Sequence, residues 1–157
     1  MSEEVKEQLS KQEYDKVGEM LLEMIKSCPE VPQDLKDKEE GILYQSMSTG
    51  RCLGIVTLPG AKYVRHDITG GFTAKVNFQI AYKGMPKSNK QRIDAQNAVD
   101  RIMGWLEDVQ NLPKLTDGRI VTEITASSSF ATVDEVNNDK STVFVADAVM
   151  EYKKRDI

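Results

Sequence analysis

The stretch Arg65-His66-Asp67-Ile68-Thr69-Gly70-Gly71-Phe72 contains the only histidine of the 157-residue chain, beside an aspartate and a pair of glycines. A His/Asp pair can relay protons, and a glycine pair can cradle phosphate. A phosphate loop, however, needs a lysine and a serine or threonine ahead of a helix, whereas a strand-like pattern follows here. Neighbouring strand residues also point to opposite faces, so His66 and Asp67 cannot orient each other as a catalytic pair must. The stretch therefore indicates a hairpin turn, in which glycines supply positive φ.

The remaining reactive residue types form no catalytic pattern either. The serines at 127–129 match no nucleophile elbow, and Glu107-Asp108 are sequence neighbours that do not share a helix face. Cys28 and Cys52 are too few for a disulfide framework and are expected to be small, buried, reduced thiols. One histidine and two cysteines make a poor zinc set, and no calcium-loop spacing occurs. We expect no catalytic residue, no metal and no cofactor, and hence a protein that is not an enzyme.

Composition favours a soluble globular protein whose charge is unevenly spread. The chain is 39% apolar and 29% charged, with a net charge of −4. Residues 1–40 hold 12 acidic and 6 basic side chains, whereas residues 41–110 hold 5 and 9. The two charged regions are either solvated faces, or an acidic end that meets a basic middle within one subunit or between neighbouring subunits. The basic residues are scattered and not interleaved with aromatics, which argues against sequence-specific nucleic-acid recognition.

The apolar periodicity predicts two long helices. An apolar stripe at helical spacing runs through residues 10–27, where Ser10 and Glu13 form a capping box. A second stripe runs through residues 89–109 behind Ser88 and Gln91. The first twenty residues lack the apolar region of a signal peptide, and no apolar run is long enough to span a bilayer. We therefore expect a protein that is made in a cytoplasm and has no membrane partner.

Strand patterns fill most of the rest of the chain. The clearest is Phe72–Tyr82, in which every even position is apolar, as in a strand with one buried face. Residues 1–9 are expected to be a flexible terminus, and residues 126–141 a long polar loop. The fold class predicted is a single α+β domain over 1–157, with a largely antiparallel or mixed sheet and both main helices on one face. The other predicted strands span residues 42–48, 52–58, 62–68, 119–124 and 142–152.

The middle of the chain resembles a family of small phage minor capsid or tail proteins. Ile55-Val56-Thr57-Leu58-Pro59-Gly60-Ala61-Lys62-Tyr63-Val64, Asp67-Ile68-Thr69-Gly70-Gly71 and Val76-Asn77-Phe78-Gln79-Ile80-Ala81-Tyr82-Lys83 carry the likeness. In that family an "LPG…V" strand leads through an "I-D-G" turn to a strand reading "F-x-I-x-Y-K", and a helix follows. The resemblance covers about residues 53–110. The Asp67–Gly71 turn departs from the family's tighter "D-G" order.

The resemblance implies a structural virion protein, most directly the tail terminator of a long-tailed phage. Such proteins are α+β domains that assemble into rings, usually hexamers, which cap the tail tube and join it to the head. Expected partners are further copies of the chain, the major tail tube protein and the head–tail connector, with DNA passing non-specifically through the lumen. The expected location is the head–tail junction of the virion, and the host cytoplasm during assembly. The alternatives are a head-completion or connector adaptor of the neck, or a small ligand-binding domain or enzyme.

The residues expected at interfaces lie on two extensions that an isolated domain hardly needs. One is the hairpin tip, and the other is the acidic end of the long loop. The residues expected to make these contacts are Arg65, His66, Asp67, Thr69, Asp134, Glu135, Asn137, Asn138 and Asp139.

Overall fold

A computed structural model describes residues 8–37, 41–45, 51–84, 87–112, 117–127, 130–133 and 142–155. The helices are α1 (Lys11–Ser27), the short α2 (Gln33–Asp37) and α3 (Asn89–Glu107), which a 3-10 turn at Val109–Asn111 follows. The strands are β1 (Ile42–Tyr44), β2 (Cys52–Thr57), β3 (Lys62–His66), β4 (Phe72–Gly84), β5 (Arg119–Ala126), β6 (Phe130–Val133) and β7 (Thr142–Lys154). The predicted elements thus appear with shifted ends.

Two long strands form the middle of the sheet. β4 and β7, each 13 residues long, pair antiparallel from Phe72↔Lys154 to Gly84↔Thr142. On one side, β2 and β3 both pair with β4, one after the other along its edge. On the other side, β5 and β6 divide the edge of β7 in the same way. Only β1, which lies beside β2, adds a parallel pair among the described strands. The α+β fold with a largely antiparallel, mixed sheet is therefore confirmed.

One face of this sheet carries the hydrophobic core. The even positions of β4 point inward, as the alternation predicts, and Val76, Phe78 and Ile80 are completely buried. Their partners across β7 include Ala146, Ala148 and Met150, and side chains of both α1 and α3 belong to the same cluster. Both long helices therefore pack on one face of the sheet, which confirms the predicted layering. In the part of the chain that the structure describes, no helix is long and apolar enough to cross a membrane.

Both long helices begin as predicted. The Ser10 hydroxyl accepts from the Glu13 backbone N–H at 3.1 Å, and the Ser88 hydroxyl accepts from Gln91 in the same way at 3.2 Å. Neither capping box is completed, however, because the Glu13 carboxylate turns inward to Arg119 and the Gln91 side chain accepts from the backbone N–H of Lys87. The apolar stripe that the sequence predicts on α1 consists of Tyr14, Val17, Gly18, Leu21, Leu22 and Ile25, and the buried stripe lies slightly to one side of it. The buried stripe consists of Glu13, Val17, Gly18, Met20, Leu21, Met24 and Ile25.

Two segments expected to be irregular contain ordered structure. The predicted polar loop 126–141 is too long, because Ala126 still belongs to β5 and Phe130–Val133 forms β6 against β7. The residues of β6 include Phe130, Thr132 and Val133, which are types that favour strands. The segments on either side are polar, so the sequence pattern does not indicate so short a strand. The predicted flexible terminus 1–9 is also too long. Gln8 bridges to Lys62 of β3 and Leu9 packs on the core.

Candidate functional site

The stretch Arg65–Phe72 contains the turn between β3 and β4 and the strand ends on either side of it. The backbone N–H of Asp67 donates to the Gly71 carbonyl at 2.8 Å, and that of Gly70 donates to the Asp67 carbonyl at 3.2 Å. Gly70 has a φ of +98°, a conformation that favours glycine. Gly71 is buried against the carbonyl of Lys154, at the end of β7. The predicted hairpin is confirmed.

The His/Asp pair does not come together in this hairpin. The His66 ring lies 4.7 Å from the Tyr63 ring and 6.3 Å from the Phe72 ring, measured between centroids. Asp67 instead approaches Arg65, with its carboxylate 3.7 Å from the arginine Nε. The histidine is therefore part of an aromatic cluster and has no orienting carboxylate in this pair.

A bulge explains why Tyr63 and His66 share a face although they are three residues apart. Tyr63 pairs with Ala74 of β4, but Arg65 pairs with the very next residue, Thr73, so Val64 is an extra residue in β3. A bulge changes which side chains of a strand point to which face. His66 consequently lies opposite Phe72, on the core side of the sheet. Strict alternation along β3 would have placed it on the other face.

The tip of the hairpin exposes an aliphatic side chain that is not among the residues expected at interfaces. Ile68 is fully exposed, at 107% of its reference area, and Thr69 beside it is also exposed. The Arg65 side chain is 68% exposed, whereas that of Asp67 is 25% exposed. The hairpin therefore presents an apolar residue flanked by polar ones. The other predicted contact residues, Asp134, Glu135, Asn137, Asn138 and Asp139, lie outside the described residues.

A groove of about 460 Å³ lies on the sheet face that points away from the helices. Its floor is formed by outward residues of β4 and β7, among them Asn77, Asp147 and Val149. One wall is the β2–β3 connection at Leu58-Pro59, and the other is the end of β5. The lining surface is mostly apolar and the groove is open to solvent. Neither His66 nor Asp67 lines this groove, so the groove does not bring these two residues together in a pocket.

Hydrogen bonds fix the walls of this groove. The Asn77 carbonyl accepts from Leu58 N–H at 2.8 Å, which holds the first wall over β4. On the other side, the backbone N–H of Ser127 donates to the Asp147 carbonyl at 2.8 Å. The Asp147 carboxylate accepts from the Gln79 amide at 2.9 Å. The groove is therefore a preformed feature with a single acidic side chain in its floor. It could not be predicted from the sequence, because its residues come from distant segments of the chain.

A buried charge cluster connects α1 to the edge of the sheet. Arg119 of β5 donates from Nε and Nη2 to the two carboxylate oxygens of Glu13, at 2.9 and 2.5 Å, and also contacts Asp117. The Tyr152 hydroxyl is buried near the Glu13 carboxylate but outside hydrogen-bond geometry. Burial and the negative charge of Glu13 raise the pKa of Tyr152 far above its ordinary value. The Glu13–Arg119 pair is buried, Asp117 lies at the exposed end of the cluster, and the pair fastens the helix to the sheet.

Ion pairs within the subunit join the acidic end of the chain to its basic middle. Glu30 contacts Arg101 of α3 at 3.3 Å, and Asp34 contacts Arg51. The expectation that these regions meet within one subunit is thus confirmed for two pairs. Other charges face solvent on α1, where exposed acidic residues recur every fourth position and form a stripe. The stripe consists of Asp15, Glu19 and Glu23.

Both cysteines are buried free thiols, as predicted. Burial raises the pKa of Cys28, which keeps this thiol protonated and unreactive. Among the described residues, no three His, Cys, Asp or Glu side chains converge in an arrangement that could hold a metal ion.

Replacing Gly71 with alanine should lower the free energy of unfolding by about 1–3 kcal/mol, the usual cost of overpacking. A Cβ at this position would lie 2.6 Å from the backbone oxygen of Lys154, which cannot move without shifting β7. Gly104→Ala is the control, since nothing lies within 4 Å of its Cβ and alanine favours a helix by about 1 kcal/mol. Urea denaturation measures both, and equal effects would contradict the close hairpin–β7 contact.

Comparisons with known proteins give only weak likenesses. No family model matches the sequence, and no curated protein matches it. A chain in the solved structure "Virion of native gene transfer agent (GTA) particle" is 11% identical with a TM-score of 0.43, over 71% of this chain and 76% of that one. A second solved chain is 17% identical with a TM-score of 0.45, over 95% of this chain and 99% of that one. At these scores neither likeness assigns a function.

Proposed function

We propose that the protein is a structural component of a phage-like virion and acts as a tail terminator. In this role, copies of the chain form a ring that caps the tail tube and joins it to the head. The resemblance of residues 53–110 to small phage minor capsid or tail proteins supports this role. The protein acts through protein–protein contacts and is not an enzyme.

The observation that carries the proposal is the β3–β4 hairpin. It projects from the ends of the long central strands and places Ile68 entirely in water. Turns normally use glycine, asparagine, aspartate or serine, so a β-branched aliphatic residue at a tip has no evident value to the turn itself. Burial of such a side chain against another protein contributes about 1.5–3 kcal/mol. In a structural protein, this hairpin would provide a contact with a neighbouring subunit or partner.

The exposed part of the sheet face that points away from the helices supports the same role. Ile120 and Val149 are 49% and 39% exposed there, among charged residues such as Lys75 and Glu151. Partly apolar surfaces rimmed by polar residues are typical of protein contacts. Among the described residues of this face, Lys75 pairs with Glu151 at 3.9 Å, so this pair adds no net charge that would bind nucleic acid. DNA would then pass through the lumen of the ring without a specific contact.

The test is the solution mass of the protein alone and with purified tail tube protein, followed by capture on the portal-side neck protein as a comparison. We expect a ring, with six copies as the expected number, that forms or becomes more stable on the tube. A strict monomer that ignores the tube would contradict the proposal. Capture by the neck protein alone would instead identify a head-completion or connector adaptor. Binding of neither, with a small molecule held in the open groove, would identify a ligand-binding domain.

A further inference from the structure

We infer that the exposed hairpin tip of one copy of the chain docks into the sheet-face groove of a second copy. This contact rests on the proposed ring assembly and names the surfaces that build it. The hairpin tip is defined as residues 65–69. The sheet-face groove is the 460 Å³ groove whose floor contains Asn77, Asp147 and Val149.

The two surfaces match in polarity. The tip presents Ile68, which is fully exposed, and the lining of the groove is mostly apolar. A single exposed aliphatic residue is common on protein surfaces and needs no partner. Here, however, the same molecule also has a preformed groove with an exposed Val149 in its floor. Docking would bury Ile68 of one copy against Val149 of the other, and both side chains are exposed in the single subunit.

The two surfaces also match in charge. Arg65 is 68% exposed at the tip, and its ion pair with Asp67, at 3.7 Å, is too long for a strong hydrogen bond. The groove holds one acidic side chain, Asp147. Its hydrogen-bond partner, the Gln79 amide, is neutral and provides no counter-charge. Arg65 can therefore exchange Asp67 for Asp147 when Ile68 enters the groove. The complementary charges also fix the orientation of the hairpin.

A hairpin cannot reach the groove of its own subunit. The groove floor begins at Asn77, five residues along β4 from Phe72, which is about 17 Å at the usual rise of a strand. Ile68 and Thr69, at the end of the tip, lie in the turn beyond Phe72, in the opposite direction. The occupant is therefore a second copy of the chain.

The geometry of the contact explains how a ring would form. The tip and the groove are different surfaces of one subunit, so each copy offers a tip to one neighbour and a groove to the other. Such head-to-tail contacts generate a closed ring when the rotation between neighbours closes. A symmetric tip-to-tip contact would stop at a dimer.

Disulfide trapping tests the contact directly. Ile68→Cys and Val149→Cys are made in separate chains, and each is oxidised alone and after mixing, with the solution mass measured on the same samples. Both native cysteines are completely buried and should not interfere. We expect a cross-linked dimer only in the mixture, and a ladder of larger species from the double variant. An oligomer that forms no mixed disulfide would overturn the contact and leave the proposed function standing. A cross-link from Ile68→Cys alone would overturn it in favour of a tip-to-tip dimer.

A charge substitution gives an independent readout. Ile68→Asp should weaken self-association about tenfold or more, as expected for a residue at the centre of an interface. Ile93→Asp is the matched control, because Ile93 is also exposed, at 58%, but lies on α3. Equal effects of the two substitutions would overturn the contact. A ring that shows the mixed disulfide but ignores the tail tube would retain the contact and overturn the terminator role. A strict monomer would overturn both.

Discussion

Replacing Arg119 with alanine is expected to lower the free energy of unfolding by about 3–5 kcal/mol. Its guanidinium forms two hydrogen bonds with Glu13, and the two side chains are only 9% and 5% exposed. Without the arginine, the Glu13 carboxylate stays buried near the Tyr152 hydroxyl with no counter-charge from Arg119. Removing one partner of a buried pair therefore costs far more than the pair itself contributes. Urea denaturation followed by circular dichroism measures the change.

The matched control is an ion pair of similar type on the surface. Lys16 and Glu19 lie 3.3 Å apart on α1, with side chains 51% and 71% exposed. Lys16→Ala should change the free energy of unfolding by no more than about 1 kcal/mol. The double replacement Glu13→Leu and Arg119→Met should cost less than Arg119→Ala, because it leaves no unpaired charge in the core. If Arg119→Ala costs no more than Lys16→Ala, the buried pair does not fasten α1 to the sheet.

The sequence predicted most of the fold where the signal was local. The alternation of β4 showed which face of the strand is buried, and Ser10 and Ser88 marked the starts of the helices. These signals come from neighbouring residues, whose side-chain directions the regular backbone determines. The strand β6 gave no such signal, because it has only four residues and residues 134–141 separate it from its partner, β7. Short strands depend on pairing that a local pattern does not encode.

The buried charge cluster shows a second limit. Glu13 and Arg119 are 106 positions apart, so no local pattern joins them. One signal was available, since Glu13 lies four residues before Val17 and therefore on the buried stripe of α1. An acidic residue on an apolar stripe needs a buried cation. Which cation it finds depends on how β5 docks against the helix.

The candidate site was predictable only in part. The hairpin could be recognised from its glycine pair, and the separation of His66 from Asp67 was also foreseen. The bulge at Val64 was not, and it determines that His66 joins Tyr63 on the core side. The groove was also hidden, because the sheet brings together its walls from segments as distant as Leu58 and Ser127. Surfaces assembled from distant segments require the pairing of the strands to be known.

Replacing Phe78 with alanine is expected to lower the free energy of unfolding by about 3–5 kcal/mol. The ring is completely buried in the middle of β4, between Thr57 of β2 and Ala148 of β7. Its small neighbour on β7 cannot fill the space that the ring leaves. The loss of apolar burial is therefore joined by the cost of a cavity. The midpoint and slope of a urea unfolding curve provide the measurement.

Gln79 is the natural control, since it is the next residue of β4 and points to the opposite face. Its amide donates to Asp147, so Gln79→Ala removes one partly exposed hydrogen bond and should cost about 0.5–1.5 kcal/mol. The comparison tests whether the two faces of the sheet have separate roles. Phe78→Ala should reduce stability while leaving the contacts of the folded protein intact, whereas changes beside the groove should alter self-association with little loss of stability. Equal destabilisation by the two alanines would mean that the outward face is also buried, which would leave no room there for a neighbouring subunit.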